Sequence, residues 1–209
     1  MPSLVGSEMC IRDRVTIKMP SDYVQTDWSG GKTNQLFLYP EEGDYGERTF
    51  SYRLSTATVA LRQTTFTLLD GYHRILMTLD KPITLSDLSH AKEVSLTPFE
   101  PYAFEGDARI VSRGTCQDMN LIYDDHYRGQ LLPVWSDTPF EAPKADCQLL
   151  YALSKLTYSV TNQVNQELEA NHLLVIDQEA SLSDLKICPN QTSPVRTPVA
   201  VWAGLWHKT

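Results

Sequence analysis

Two arginines, Arg53 and Arg74, head strand-like runs inside a block at residues 28–79 that is dense in groups able to hold an anion. In Tyr52-Arg53-Leu54-Ser55-Thr56-Ala57-Thr58-Val59, the period of two in a strand puts Arg53, Ser55 and Ala57 on one face. Tyr52 and Leu54 take the other. A guanidinium grips a carboxylate through two parallel hydrogen bonds, which lysine cannot do. Inside an apolar interior such a cation needs a partner. Asp107 and Asp118 are the internal candidates. Arg74 opens the apolar run Ile75-Leu76-Met77-Thr78-Leu79. Its neighbour His73 must point to the opposite face, so the two cannot act together.

A second group precedes these. In Trp28-Ser29-Gly30-Gly31-Lys32-Thr33 the two glycines permit a tight turn whose free amides can cradle an anion. Trp28 can wall the pocket and donate one indole hydrogen bond, and Lys32 can add charge. The alternative is a plain turn with Trp28 as core filling. Further on, Asp118 and Asn120 share a strand face, and an interior Asn both donates and accepts, which suits an amide or formyl group. Asp107 follows Gly106 and is read either as a site carboxylate or as an ordinary turn residue. The candidate ligand-binding set is therefore Trp28, Gly31, Thr33, Arg53, Ser55, Arg74, Asp107 and Asn120. No residue is assigned a catalytic role.

These groups must be positioned by short strands. Runs at 15–19, 33–39, 49–60, 72–79, 94–97, 108–113 and 116–123 have β character, and turn signals such as Asp70-Gly71 and Arg113-Gly114 separate them. Such regular punctuation predicts a sandwich or barrel rather than βαβ units. Residues 128–146, with Pro133, Pro139 and Pro143, read as a connecting loop. A second β set follows at 148–160, 171–176, 184–188 and 198–206, and 161–170 reads as a hairpin turn or a short helix. The expected organisation is an N-terminal barrel at 15–127, a connection at 128–146 and a smaller C-terminal barrel half at 147–209.

Composition excludes several classes. A formal net charge of -8 argues against nucleic-acid binding, which needs a basic face. No apolar run reaches the ~18 residues of a membrane helix. Residues 2–14, Pro-Ser-Leu-Val-Gly-Ser-Glu-Met-Cys-Ile-Arg-Asp-Arg, resemble translated sequencing adapter and lack the apolar core of a signal peptide. The segment 1–14 is therefore expected to be non-native. Of the four cysteines, Cys116, Cys147 and Cys188 remain, widely spaced and without a C-x-x-C pair. That predicts reduced thiols in the cytoplasm rather than a disulfide framework or zinc knuckle. The histidines at 73, 90, 126, 172 and 207 form no H-x-H and have no suitably placed Glu, so metal ligation is not expected. The G-K-T of Gly31-Lys32-Thr33 lacks the first glycine of a phosphate loop, Thr26 standing there instead. No cofactor signature is present.

Taken in order, W-S-G-G-x-T, R-L-S-x-A-x-V, F-x4-G-x-x-R-I-L-M, the segment Pro98–Asp107 and Asp118-Met119-Asn120-Leu121 resemble the HutD/Ves family of cupin-like proteins over residues 22–125, roughly half the chain. The first motif departs from the W-x-N-G-G-G-x-T form by one Asn and one glycine. The resemblance implies an all-β, RmlC-like bicupin: two small β-barrels in one unit, with Asn120 facing the interior. It also implies metal-independent binding of a small acidic metabolite, formylglutamate-like, with a regulatory role in histidine utilisation or stress metabolism. A homodimer through sheet edges is compatible with it. Two other functions stay open: a cupin-type isomerase or hydrolase acting on such an acid, with Asp107, Asp118 or a tyrosine as acid or base, and a protein-interaction module with an empty barrel.

Overall fold

A computed structural model describes residues 14–161, 163–177, 184–188 and 196–208. Nearly all of the adapter-like segment lies outside them. Arg14, grouped with that segment from the sequence, instead begins the strand Arg14–Lys18.

The described chain is built of antiparallel strands in four sheets. A six-stranded sheet runs Val24–Trp28, Gly31–Tyr39, Tyr52–Val59, Cys116–Asp124, Tyr72–Thr78, Pro101–Glu105 in spatial order. A four-stranded sheet of Gln63–Thr65, Ile110–Arg113, Ile83–Asp87 and Lys92–Leu96 packs across one end of its outer face. The C-terminal half repeats the plan. A five-stranded sheet holds Arg14–Lys18, Leu173–Asp177, Cys147–Ala152, Pro198–His207 and Tyr127–Trp135. A four-stranded sheet holds Phe140–Glu141, Leu185–Ile187, Leu156–Val160 and Gln163–Leu168. Each half is a pair of facing sheets rather than a closed barrel.

Three apolar layers glue the four sheets together. Between the two large sheets lie Leu54, Met77, Met119 and Leu121 from the first half, against Leu149, Leu173, Val201 and Leu205 from the second. All eight are fully buried. At about 1.5–3 kcal/mol for each large aliphatic side chain removed from water, this layer is the main reason the halves form one body. The C-terminal sandwich is filled around Trp202, whose indole donates to Gln148 Oε1 at 3.2 Å. The N-terminal sandwich packs Leu76, Leu85, Leu96 and Ile110 at one end and stays open at the other.

The 128–146 segment is not a free connection. Tyr127–Trp135 pairs with Pro198–His207 along its length, and Phe140–Glu141 pairs with Leu185–Ile187. The passage between halves is the short turn at 125–126. Pro133 hid this strand. It is tolerated because the strand is at the edge of its sheet, where a missing N–H costs no ladder bond. Of the two readings for 161–170, the turn holds, with Gln163–Leu168 returning as a strand. The 148–160 run divides into Cys147–Ala152 and Leu156–Val160.

Leu121→Ala should cost about 2–5 kcal/mol, because the residue is fully buried between two sheets that cannot easily close on the void. Urea unfolding measures this. A loss well under 1 kcal/mol would mean that the layer is not tightly packed.

Candidate functional site

Register places the chemistry. Cys116–Asp124 lies between Tyr52–Val59 and Tyr72–Thr78, so its residues have a partner on each side. Ile122 stands between Arg53 and Arg74, Asn120 between Ser55 and Leu76, and Asp118 between Ala57 and Thr78. Three rows of one sheet face thus carry two guanidiniums, then a hydroxyl and an amide, then a carboxyl. The next strand adds Gln35 opposite Ser55 and Thr33 opposite Ala57. This face floors a cavity of about 330 Å³, within the usual range for small-ligand pockets. Thr64 and Thr65 from the covering sheet and Phe66 and Thr67 just after them wall it, with Tyr45 from the loop after Tyr39.

The two arginines are 8% and 4% exposed, respectively. Arg53 Nε donates to Gln35 Oε1 at 2.8 Å and an η nitrogen donates to Ser55 Oγ at 3.0 Å. Its guanidinium sits 4.3 Å from the Tyr45 ring centre. Arg74 donates to the Thr67 carbonyl at 3.2 Å and lies against the Phe66 and Phe104 rings, 4.6 and 5.4 Å from their centres. Among the described residues no carboxylate lies within 4.0 Å of either guanidinium. Arg74 Nε and Asn120 Oδ1 are buried and unpartnered. Cation–π contacts return ~0.5–2 kcal/mol each, while burying an ion costs several kcal/mol. The balance disfavours the cations as they stand. Burial pushes the Arg53 pKa down and brings that of Arg74 to about 10, so Arg74 stays charged near neutral pH.

Asp118 is the remaining charge. It is 5% exposed, and its carboxyl accepts no hydrogen bond among the described residues. Burial pushes its pKa up to about 7, with Arg74 opposing and Asp80 adding a little.

Most of the expected set converges here. Trp28, Thr33, Arg53, Ser55, Arg74 and Asn120 line the cavity. Trp28 Nε1 donates to Thr33 Oγ1 at 3.1 Å, so the indole stands as a wall at the mouth. Gly31 and Asp107 do not line it. Ser29-Gly30 is the two-residue loop of a hairpin, and Gly31 already belongs to the next strand. Its φ is +153°, and an added Cβ would lie 1.8 Å from the Thr58 carbonyl oxygen. The glycine serves close strand approach rather than an anion cradle. Gly30 likewise leaves room for the Trp28 ring. Asp107 is exposed in the turn after Pro101–Glu105. His73 points away from the cavity, bridging Glu105 and Asp125 at 2.8 Å each.

Sequence reading missed Gln35, Tyr45 and the threonine wall. A threonine-rich stretch, Thr64-Thr65-Phe66-Thr67, was a usable signal for the last. Among the described residues no group of three or more His, Cys, Asp or Glu side chains is placed to hold a metal ion. Among the described residues no helix is long and apolar enough to cross a membrane.

The HutD family model matches residues 20–192. The chain belongs to the HutD family. Solved structures agree in fold. A conserved protein of unknown function from Pseudomonas aeruginosa PAO1 superposes with a TM-score of 0.78 at 24% identity, covering 92% of this chain and 99% of that one. HutD from Pseudomonas fluorescens SBW25 gives 0.71 at 24% identity, covering 94% and 100%. An oxalate decarboxylase from Lactobacillus farciminis gives 0.60 at 6% identity, covering 92% and 86%. The last likeness, at so low an identity, speaks for the cupin fold alone. No curated protein matches the chain in sequence. The fold is thus the expected all-β, cupin-like bicupin, with open jelly-roll sandwiches in place of closed barrels.

The raised Asp118 pKa has a consequence for stability. The folded state holds this proton more tightly than the unfolded chain, whose carboxyl titrates near 3.9. The contribution is fully present below pH ~4 and is lost as pH rises through about 7. Asp118→Asn, which cannot ionise, should therefore gain on the wild type between pH 5 and 8, by on the order of 1 kcal/mol or more. Urea unfolding of both proteins at the two pH values measures the gap. An unchanged gap would show that Asp118 titrates normally.

Proposed function

We propose that this HutD-family protein binds a small organic acid without a metal, in the cavity of its N-terminal half. Family membership relates it to histidine utilisation, and a formylglutamate-like ligand with a regulatory role fits that setting. The observation that carries the reading is the pair Arg53 and Arg74, buried on either side of Ile122 with no carboxylate partner among the described residues. Two guanidiniums across one row suit an acid with two carboxylates, or one carboxylate held from both sides. A ligand anion would replace the water that burial has stripped from these cations. The unpartnered Asn120 Oδ1 calls for a donor, which the N–H of an acylated amino acid supplies. The chain's charge of -8 makes this cationic recess a local exception and favours a small ligand over a polyanion.

A second reading has one observation in its favour. Asp118, buried and titrating at about 7, has the character of a general acid or base. An isomerase or hydrolase acting on the same acid would use it. Incubation of the protein with each candidate acid, followed by proton NMR, separates the readings, since a binder leaves the spectrum unchanged.

Calorimetric titration with formylglutamate, glutamate, urocanate and histidine should give saturable binding of one acid. Arg53→Ala should abolish it, and Arg53→Lys should weaken it about tenfold or more, because the two-pronged geometry is lost. A folded wild type giving no heat with any of the four would remove this reading.

A further inference from the structure

The two ends of the cavity differ in chemistry. The Arg53–Ile122–Arg74 row offers donors, Arg74 Nε still unpartnered among them. One and two rows along the same strand stand Asn120 Oδ1 and the Asp118 carboxyl, which are acceptors without donors among the described residues. Both residues are more than nine-tenths buried, at 8% and 5% exposure, and both line the cavity. A carboxyl is an odd choice for a pocket built only for anions. A plain diacid would neutralise the two guanidiniums and leave Asp118 as surplus negative charge in an interior that already penalises it.

Resting on the acid-binding reading above, we infer that the cavity takes a zwitterionic acid, its carboxylates on Arg53 and Arg74 and a cationic nitrogen group of the amidine or amine type on Asp118 and Asn120. Charge then balances. Two carboxylates meet two guanidiniums, and one cationic N–H group meets one carboxylate. The hydrogen-bond inventory closes as well. An amidinium carries several N–H donors, enough for the Asn120 oxygen and the Asp118 carboxyl together. A formamido group supplies one N–H and turns an oxygen lone pair towards an ionised Asp118.

Two ligands of equal shape decide the matter: N-formylglutamate and its amidine analogue, in which the formyl oxygen is replaced by a protonated nitrogen. Both are titrated calorimetrically into the full chain at pH 8, with Arg53→Ala and Asp118→Asn alongside. The amidine should bind wild type at least tenfold more tightly than the formyl compound. Asp118→Asn should erase that preference by weakening the amidine, and Arg53→Ala should abolish binding of both. Wild type alone tests the ranking, so a variant that fails to fold does not obscure it. Equal or tighter binding of the formyl compound, still lost in Arg53→Ala, would overturn the zwitterion and leave acid binding standing. No binding of either by folded wild type would remove both.

Discussion

The strand Cys116–Asp124 serves two environments at once, and the register of its alternation is the constraint on which the site rests. Met119, Leu121 and Tyr123 face the layer between the two halves, while on the opposite face Asp118 and Asn120 line the cavity and Ile122 packs with Leu38, Phe50 and Leu69. A slip of one residue would exchange the faces. It would drive a carboxyl and an amide among leucines and put thioether and isobutyl groups on the cavity floor. The penalty for a carboxylate in such surroundings is several kcal/mol, more than any single ladder hydrogen bond contributes. The register is thus fixed by the side chains. Because Arg53 and Arg74 are on the strands either side, fixing it also fixes their spacing.

That frame lets the protein hold two cations in an unfavourable state. Aromatic rings and neutral oxygens around Arg53 and Arg74 orient the guanidiniums but do not neutralise them. The apolar layers elsewhere supply the stability that offsets this. An arginine with its own internal aspartate would be more comfortable and less available. Donors held in place by such contacts lose little entropy on meeting an anion, which is the physical basis of the proposed binding.

The parts of this arrangement that follow from period two were readable in the sequence. Arg53 with Ser55, Asp118 with Asn120, and the opposition of His73 to Arg74 all fall out of alternation, and the structure keeps each of them. What was not readable depends on partners far along the chain. Gly31 looks the same whether its amide meets an anion or its bare Cα meets the Thr58 carbonyl. Asp107 suits a turn and a site equally well by residue type. Val24–Trp28 is exposed at every position, so no apolar alternation marked it, and only its hairpin partner makes it a strand. Gln63–Thr65 was too short to register, and its loss concealed the threonine wall. Tyr127–Trp135 was masked by Gly129 and Pro133, residues that read as loop but here meet the Tyr123 ring and a sheet edge.

The strand Arg14–Lys18 precedes the cavity-bearing half in sequence yet pairs with Leu173–Asp177 in the other half. The N-terminal sandwich is therefore bracketed, with one end of its chain tied back to the sheet into which its other end continues. A cut at the 125–126 turn would not release two modules. One piece would carry away an edge strand of its neighbour, and both would show water the leucine faces that had met. Gene fusion or shuffling cannot lift this pocket out as a portable cassette. Its inheritance is bound to a second jelly roll whose interior, among the described residues, is filled with apolar side chains around Trp202.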